Sequence, residues 1–143
     1  MKISQYTYFV LGLNCPYPVA YALFIAEVKS TNINSNIITA ATSGNLELAE
    51  ICISATNFRQ NNKAMYEAAE NGHIAIVKLL ISKGAQAWSI SLRRASEQGL
   101  LEMVKFLLSY NTPPKRWNYE WALGGAEMGQ HSDIVDLLRK KLL

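Results

Sequence analysis

From residue 36 onward, apolar positions arrive in paired bursts separated by a glycine, a sparse burst followed by a dense one. The pattern is cleanest over residues 64–85, AMYEAAENGHIAIVKLLISKGA. Met65, Ala68 and Ala69 are spaced by three and four, which gathers them on one face of a helix. Asn71-Gly72 then predicts a helix end, because glycine takes the positive φ of a C-terminal cap at least cost and asparagine is the next most tolerant. Ile74, Ile76, Val77, Leu79, Leu80 and Ile81 predict a second, more apolar helix with Lys78 and Lys83 outside and Gly84 as its stop. Met65, Ala68, Ala69 and Leu79 are assigned to the core, and Tyr66, Glu67 and Glu70 to the surface. One such hairpin has more apolar surface than it can bury alone, so it requires neighbours of the same kind.

Those neighbours are present. Turn glycines fall at Gly44, Gly72, Gly99 and Gly129, 28, 27 and 30 residues apart. Four and three residues before them stand Ala40-Ala41, Ala68-Ala69, Ala95-Ser96 and Gly125-Ala126, small residues that predict close packing at one place in each hairpin. After the turns the apolar runs around Cys52, Leu80, Leu107 and Leu138 coincide, once one extra residue near Gln130 is allowed in the last copy. The connector Asn111 to Trp117 is the longest, and Pro113-Pro114 within it stops the preceding helix.

These residues resemble the ankyrin repeat, whose pattern is an inner helix ending A-A-x-x-G-H, an outer helix I/V-V-x-L-L-L, and then G-A-D. The second copy carries it best, in Ala68-Ala69-Glu70-Asn71-Gly72-His73, Ile76-Val77-Lys78-Leu79-Leu80 and Gly84-Ala85. The family's T-P-L-H stands here as Ser35-Asn36-Ile37-Ile38, Lys63-Ala64-Met65-Tyr66, Ile90-Ser91-Leu92-Arg93 and Glu120-Trp121-Ala122-Leu123. The copies are shorter than the family's period of about 33 residues, and the missing residues are those of the β-turn finger. The resemblance therefore implies an all-α fold: an ankyrin-type solenoid of stacked helix-turn-helix hairpins with shortened or absent β-fingers. Compressed repeats of this kind are similar to arrays found in amoebae and in the giant viruses that infect them.

The expected organisation is one continuous domain, with four repeats over about 36–62, 63–88, 89–116 and 117–143 within residues 32–143. Residues 1–31 are expected to form a divergent helical pair that caps one end. That segment has a competing reading, since Tyr6 to Ala26 contains no charged residue and approaches the length of a membrane span. Asn14, Pro16 and Pro18 divide it into two pieces better suited to buried helices. Membrane attachment through residues 6–26 is thus the alternative to the cap.

Composition narrows the chemistry. A chain of 143 residues, 50% hydrophobic and 17% charged, can bury a continuous core. Its net charge of +3, scattered along the chain, argues for no nucleic-acid partner. Cys15 and Cys52 match neither a disulfide framework nor zinc spacing, and so point to a reducing compartment: the cytoplasm, or a host cytoplasm if the source is viral. His73 and His131, the two histidines, follow turn residues, where a ring nitrogen can bond a loop carbonyl and tie one repeat to the next. There is no phosphate-binding glycine loop, no G-x-S-x-G and no H-E-x-x-H. No catalytic, cofactor-binding or metal residues are assigned, no cofactor is expected, and the chain is read as non-enzymatic and monomeric.

A row of inner helices presents a shallow concave surface of the kind that binds proteins. On this register it carries Thr39, Thr42, Glu67, Glu70, Arg94, Glu97 and Glu127, with Tyr66 and Arg93 nearby. Glu70, Glu97 and Glu127 recur two residues before the turn glycine in copies two to four, either as a solvated face or as a ladder that contributes to binding a basic partner. Trp117 and Trp121 either anchor a partner there or, with Tyr119 and Trp88, fill gaps left by the shortened fingers. The function expected is a protein-interaction module whose candidate contact residues are Tyr66, Glu67, Glu70, Arg93, Arg94, Glu97, Trp117, Trp121 and Glu127.

Overall fold

The computed structural model describes residues 33–110 and 115–143. The expected cap over residues 1–31, the membrane alternative at residues 6–26 and the prolines of the last connector lie outside the described residues. Eight helices are present among the described residues and no strand: α1 (Ile33–Ser43), α2 (Leu46–Ile53), α3 (Phe58–Glu70), α4 (Ile74–Ser82), α5 (Trp88–Glu97), α6 (Leu101–Ser109), α7 (Arg116–Met128) and α8 (Ser132–Leu142). They pair as four antiparallel hairpins, each an inner helix followed by an outer one. The connectors between α2 and α3 and between α4 and α5 are short and irregular, so the finger is absent from both.

Inner helices α1, α3, α5 and α7 pack in series, and they approach one another more closely than the outer helices do. A stack whose inner row is tighter than its outer row curves toward the inner side. Small side chains allow that approach: Ala40 and Ala41, Ala64, Ala68 and Ala69, Ser91, Ala95 and Ser96, and Ala122 and Ala126 are all fully buried. The outer helices supply the bulk. Cys52, Leu80, Leu107 and Leu138 occupy one register position, all buried, beside Ile76, Val77, Met103, Val104, Ile134 and Val135. Burying each large aliphatic side chain contributes about 1.5–3 kcal/mol, and the row runs from one hairpin into the next. Leu79, expected in the core, is only partly buried at its edge; Leu80 holds the interior position.

All four turns close in the same way. The backbone N–H groups of Asn45, His73, Leu100 and His131 donate to the carbonyls of Ala40, Ala68, Ala95 and Ala126 at 3.0, 2.9, 3.0 and 2.9 Å. This is the six-to-one bond of a Schellman cap, which needs a positive φ at the residue before the donor. Gly44, Gly72 and Gly99 supply it, at +77°, +79° and +74°.

In the last hairpin that residue is Gln130, at φ +60°, whereas Gly129 is at −77°. The register of the fourth inner helix read from Gly129 is therefore one residue out. Ala126 corresponds to Ala40, Ala68 and Ala95. Glu127 corresponds to the buried Ala41, Ala69 and Ser96, and Met128 to Thr42, Glu70 and Glu97. The outer helices then align with no insertion. Gly129 is required for a different reason: a Cβ there would lie 2.3 Å from the carbonyl oxygen of Glu97.

A second difference concerns where the best-formed hairpin begins. The sequence pattern starts it at Ala64, but α3 opens at Phe58. Asn57 and Gln60 form a reciprocal capping box, each side chain accepting the other's backbone N–H at 3.1 Å. Two otherwise orphaned donors are satisfied there, and α3 gains nearly two turns.

Candidate functional site

The side chains left at least partly exposed on the inner helices follow from the turn register. On α3 the outward stripe is Arg59, Lys63, Tyr66 and Glu70; on α5 it includes Ile90, Arg93 and Glu97; on α7 it is Trp117, Trp121, Gly124 and Met128. The last four are spaced by four, three and four residues and so share one helical face. The half of the surface nearest the interhelical connectors is thus cationic and aromatic, and the half nearest the turns carries Glu70, Glu97 and Met128.

The predicted contact residues are drawn together in two clusters. Arg94 donates from Nη1 to both carboxylate oxygens of Glu70, at 2.8 and 3.0 Å, and its guanidinium carbon stands 5.9 Å from the centre of the Tyr66 ring. The side chains of Arg94 and Glu70 are 41% and 23% exposed, a solvation at which such pairs contribute about 0.2–1 kcal/mol. The pair fixes the two side chains across the α3–α5 boundary more than it stabilises the fold. Glu67, partly buried, lies on α3 at the position that Arg94 takes on α5.

The second cluster joins α5 to α7. Arg93 lies over the face of Trp121 with its guanidinium carbon 4.8 Å from the ring centroid, within the range where the ring quadrupole attracts a cation. These helices pack closely because of Gly125, where a Cβ would stand 3.0 Å from the Arg93 carbonyl oxygen. Trp117 is 54% and Trp121 38% exposed, so neither fills a gap in the core. Gap filling is the role of the other two aromatics. Trp88 is partly buried and tilted against Tyr110 at 5.0 Å between centroids, and Tyr119 packs on the core.

Glu127 leaves the group. The shifted register carries it off the inner face, where it accepts from Arg139 Nη2 of α8 at 3.0 Å. The carboxylate ladder is therefore Glu70 and Glu97 alone, and Met128, 69% exposed, stands in the third place. The sequence reading missed Met128 and Gly124. The four-three-four spacing from Trp117 was the available signal, hidden by counting from Gly129.

The histidines do what their position predicts. His73 Nε2 lies 3.1 Å from the Thr42 carbonyl and His131 Nε2 3.0 Å from that of Glu97. A carbonyl only accepts, so the ring nitrogen carries the proton and donates. Each ring covers the preceding repeat's turn glycine, Gly44 or Gly99, while Leu100 covers Gly72. Cys52 is a buried free thiol, and burial pushes its pKa above the ordinary thiol range. Among the described residues no group of three His, Cys, Asp or Glu side chains is placed to hold a metal ion, and no helix is long and apolar enough to cross a membrane.

No curated protein matches the chain. The family model described as ankyrin repeats, in three copies, matches residues 14–91, more than half of the chain. With four helical hairpins closed by one turn geometry and a match of that extent, the chain belongs to the ankyrin repeat family.

Proposed function

We propose that the protein is a non-enzymatic interaction module that binds a protein partner through the concave face of its inner helices and the adjoining connectors. Family membership supports the class of function, and the inner face supports the location. The observation that carries it is the exposure of two tryptophans and a methionine, Trp117, Trp121 and Met128, along one stripe of α7 beside ordered charged side chains. Large aromatics flanked by arginine are the residue types that dominate binding energy at protein interfaces. Tyr66, Glu67, Glu70, Arg93, Arg94 and Glu97 complete the contact surface, and Glu127 is removed from it.

The arrangement of the array belongs to the same reading. The family match begins at residue 14, which supports residues 1–31 as a divergent first repeat preceding four hairpins. A buried free thiol at Cys52 accords with a reducing compartment, for which we propose the cytoplasm.

The test is site-specific photo-crosslinking in extract of the source cell, with the photoreactive residue at Tyr66, Trp121 or, as the outer-face control, Phe106. Crosslinks to one protein from Tyr66 and Trp121, absent from Phe106, are expected. Crosslinks confined to Phe106 would refute the assignment of the inner face.

A further inference from the structure

The α7 stripe differs chemically from the rest of the inner face, and the difference specifies a partner. We infer that the binding segment is an acidic peptide with an apolar anchor: the anchor seats at Gly124 between Trp121 and Met128, and an adjacent carboxylate meets Arg93. The inference rests on the inner-face reading and narrows it.

Space at Gly124 is the first support. It lies between Trp121 and Met128 on the exposed stripe, and a Cβ built there has nothing within 4 Å. The missing side chain thus leaves a notch in the stripe, about one helical turn from Trp121 on one side and from Met128 on the other. The closest equivalents on α3 and α5 are Tyr66 and Arg93, whose side chains fill the corresponding place. Charge is the second support. Among the described residues Arg93 makes no ion pair, its one charge-related contact being the Trp121 ring. Arg59, Lys63 and Lys115, exposed on the same half of the face, make none either. Arg94 is neutralised by Glu70 and Arg116 by Glu120, whereas Arg93 has no carboxylate within ion-pair distance among the described residues and is left for an incoming one. A carboxylate against a guanidinium already held on an aromatic face forms charge-assisted bonds at little ordering cost. A nucleic-acid strand fits less well, because its continuous row of phosphates would run past Glu67 and Glu97, which make no ion pair among the described residues, whereas a peptide can confine its carboxylate to Arg93.

The experiment pans a random dodecapeptide phage library on the full chain, then titrates synthetic copies of the enriched peptides by fluorescence anisotropy. The expected consensus places Asp or Glu within two residues of Leu, Ile, Met or Phe. Arg93→Glu and Trp121→Ala should each weaken these peptides at least tenfold. Gly124→Leu should weaken them as much while keeping or raising Tm, since it fills the notch and replaces glycine in a helix interior by a better helix former; it separates loss of the site from loss of the fold. Lys78→Glu on the outer face should leave affinity unchanged. Basic consensus peptides, no enriched peptide, or affinities indifferent to Arg93→Glu and Gly124→Leu would each overturn the inference. Peptides that need Tyr66 or Glu97 but not Arg93 overturn it and leave the inner-face reading standing. Peptides sensitive only to Lys78→Glu overturn both. Two further outcomes name a different occupant and also overturn it: a dimer in sedimentation equilibrium that Trp121→Arg dissociates, or low-salt oligonucleotide binding that Arg93→Glu abolishes.

Discussion

Alanine at Gly99 should destabilise the protein about twice as much as alanine at Gly84, although both glycines have left-handed backbone, at φ +74° and +89°. At Gly84 a Cβ meets nothing within 4 Å, so the substitution costs only the left-handed strain of an L-residue, about 1–2 kcal/mol. At Gly99 the same Cβ would stand 2.4 Å from Cε1 of His131, well inside contact distance, and the ring must leave. Its Nε2 then gives up the 3.0 Å bond to the Glu97 carbonyl. Losing that bond adds about 0.5–1.5 kcal/mol, and with the lost packing the total is about 2–4 kcal/mol. The assay is urea unfolding followed by far-UV circular dichroism for Gly84→Ala, Gly99→Ala, His131→Ala and the double variant Gly99→Ala/His131→Ala. With the ring gone, Gly99→Ala should cost no more than Gly84→Ala does, a coupling of about 1–2 kcal/mol. Equal costs at Gly84 and Gly99 in the parent, or additive effects in the double variant, would refute the claim that His131 locks one turn to the next.

The other expectations use the same register. Gln130→Gly should stabilise by about 0.5–1 kcal/mol, since relief of left-handed strain exceeds the entropy glycine gains in the unfolded chain; a lower urea midpoint would mean that Gln130 is not the turn residue. Leu107→Ala, 4% exposed, should cost about 2–5 kcal/mol by opening a cavity between repeats, and Leu79→Ala distinctly less because Leu79 lies at the core's edge; differential scanning calorimetry ranks the two. Burial raises the Cys52 pKa, so the folded state holds its proton to higher pH than the unfolded state does. Stability from this group is full below the unfolded thiol's pKa and is lost as pH rises from there through the folded value. Cys52→Ala should flatten the decline of the urea midpoint above about pH 8.5, and the native thiol should react with iodoacetamide far more slowly than the unfolded one.

How much was legible depended on whether the signal was local. Helical period, the paired small residues and the turn glycines act within a few residues of one another, and they yielded the hairpins, their stacking and the buried row at Cys52, Leu80, Leu107 and Leu138. His73 and His131 were placed correctly because a residue just after a turn has only the neighbouring loop within reach. The start of α3 was also written locally, as Asn57-x-x-Gln60, and was missed because the apolar pattern began later than the cap.

The sequence by itself determined that this chain is a stack of short helical hairpins, since each hairpin carries more apolar surface than it can bury and the same small residues recur where the helices must meet. Only the tertiary structure decided which residue of the last turn takes the positive φ. That choice depends on how closely α7 can approach α5: Gly125 and Gly129 are spent on contacts with the backbone at Arg93 and Glu97, which leaves Gln130 to turn the chain. Rotation by one residue then moves Glu127 to Arg139 and brings Met128 onto the stripe of Trp117, Trp121 and Gly124. The composition of the candidate site was thus set by packing between repeats, which the spacing of the turn glycines does not encode.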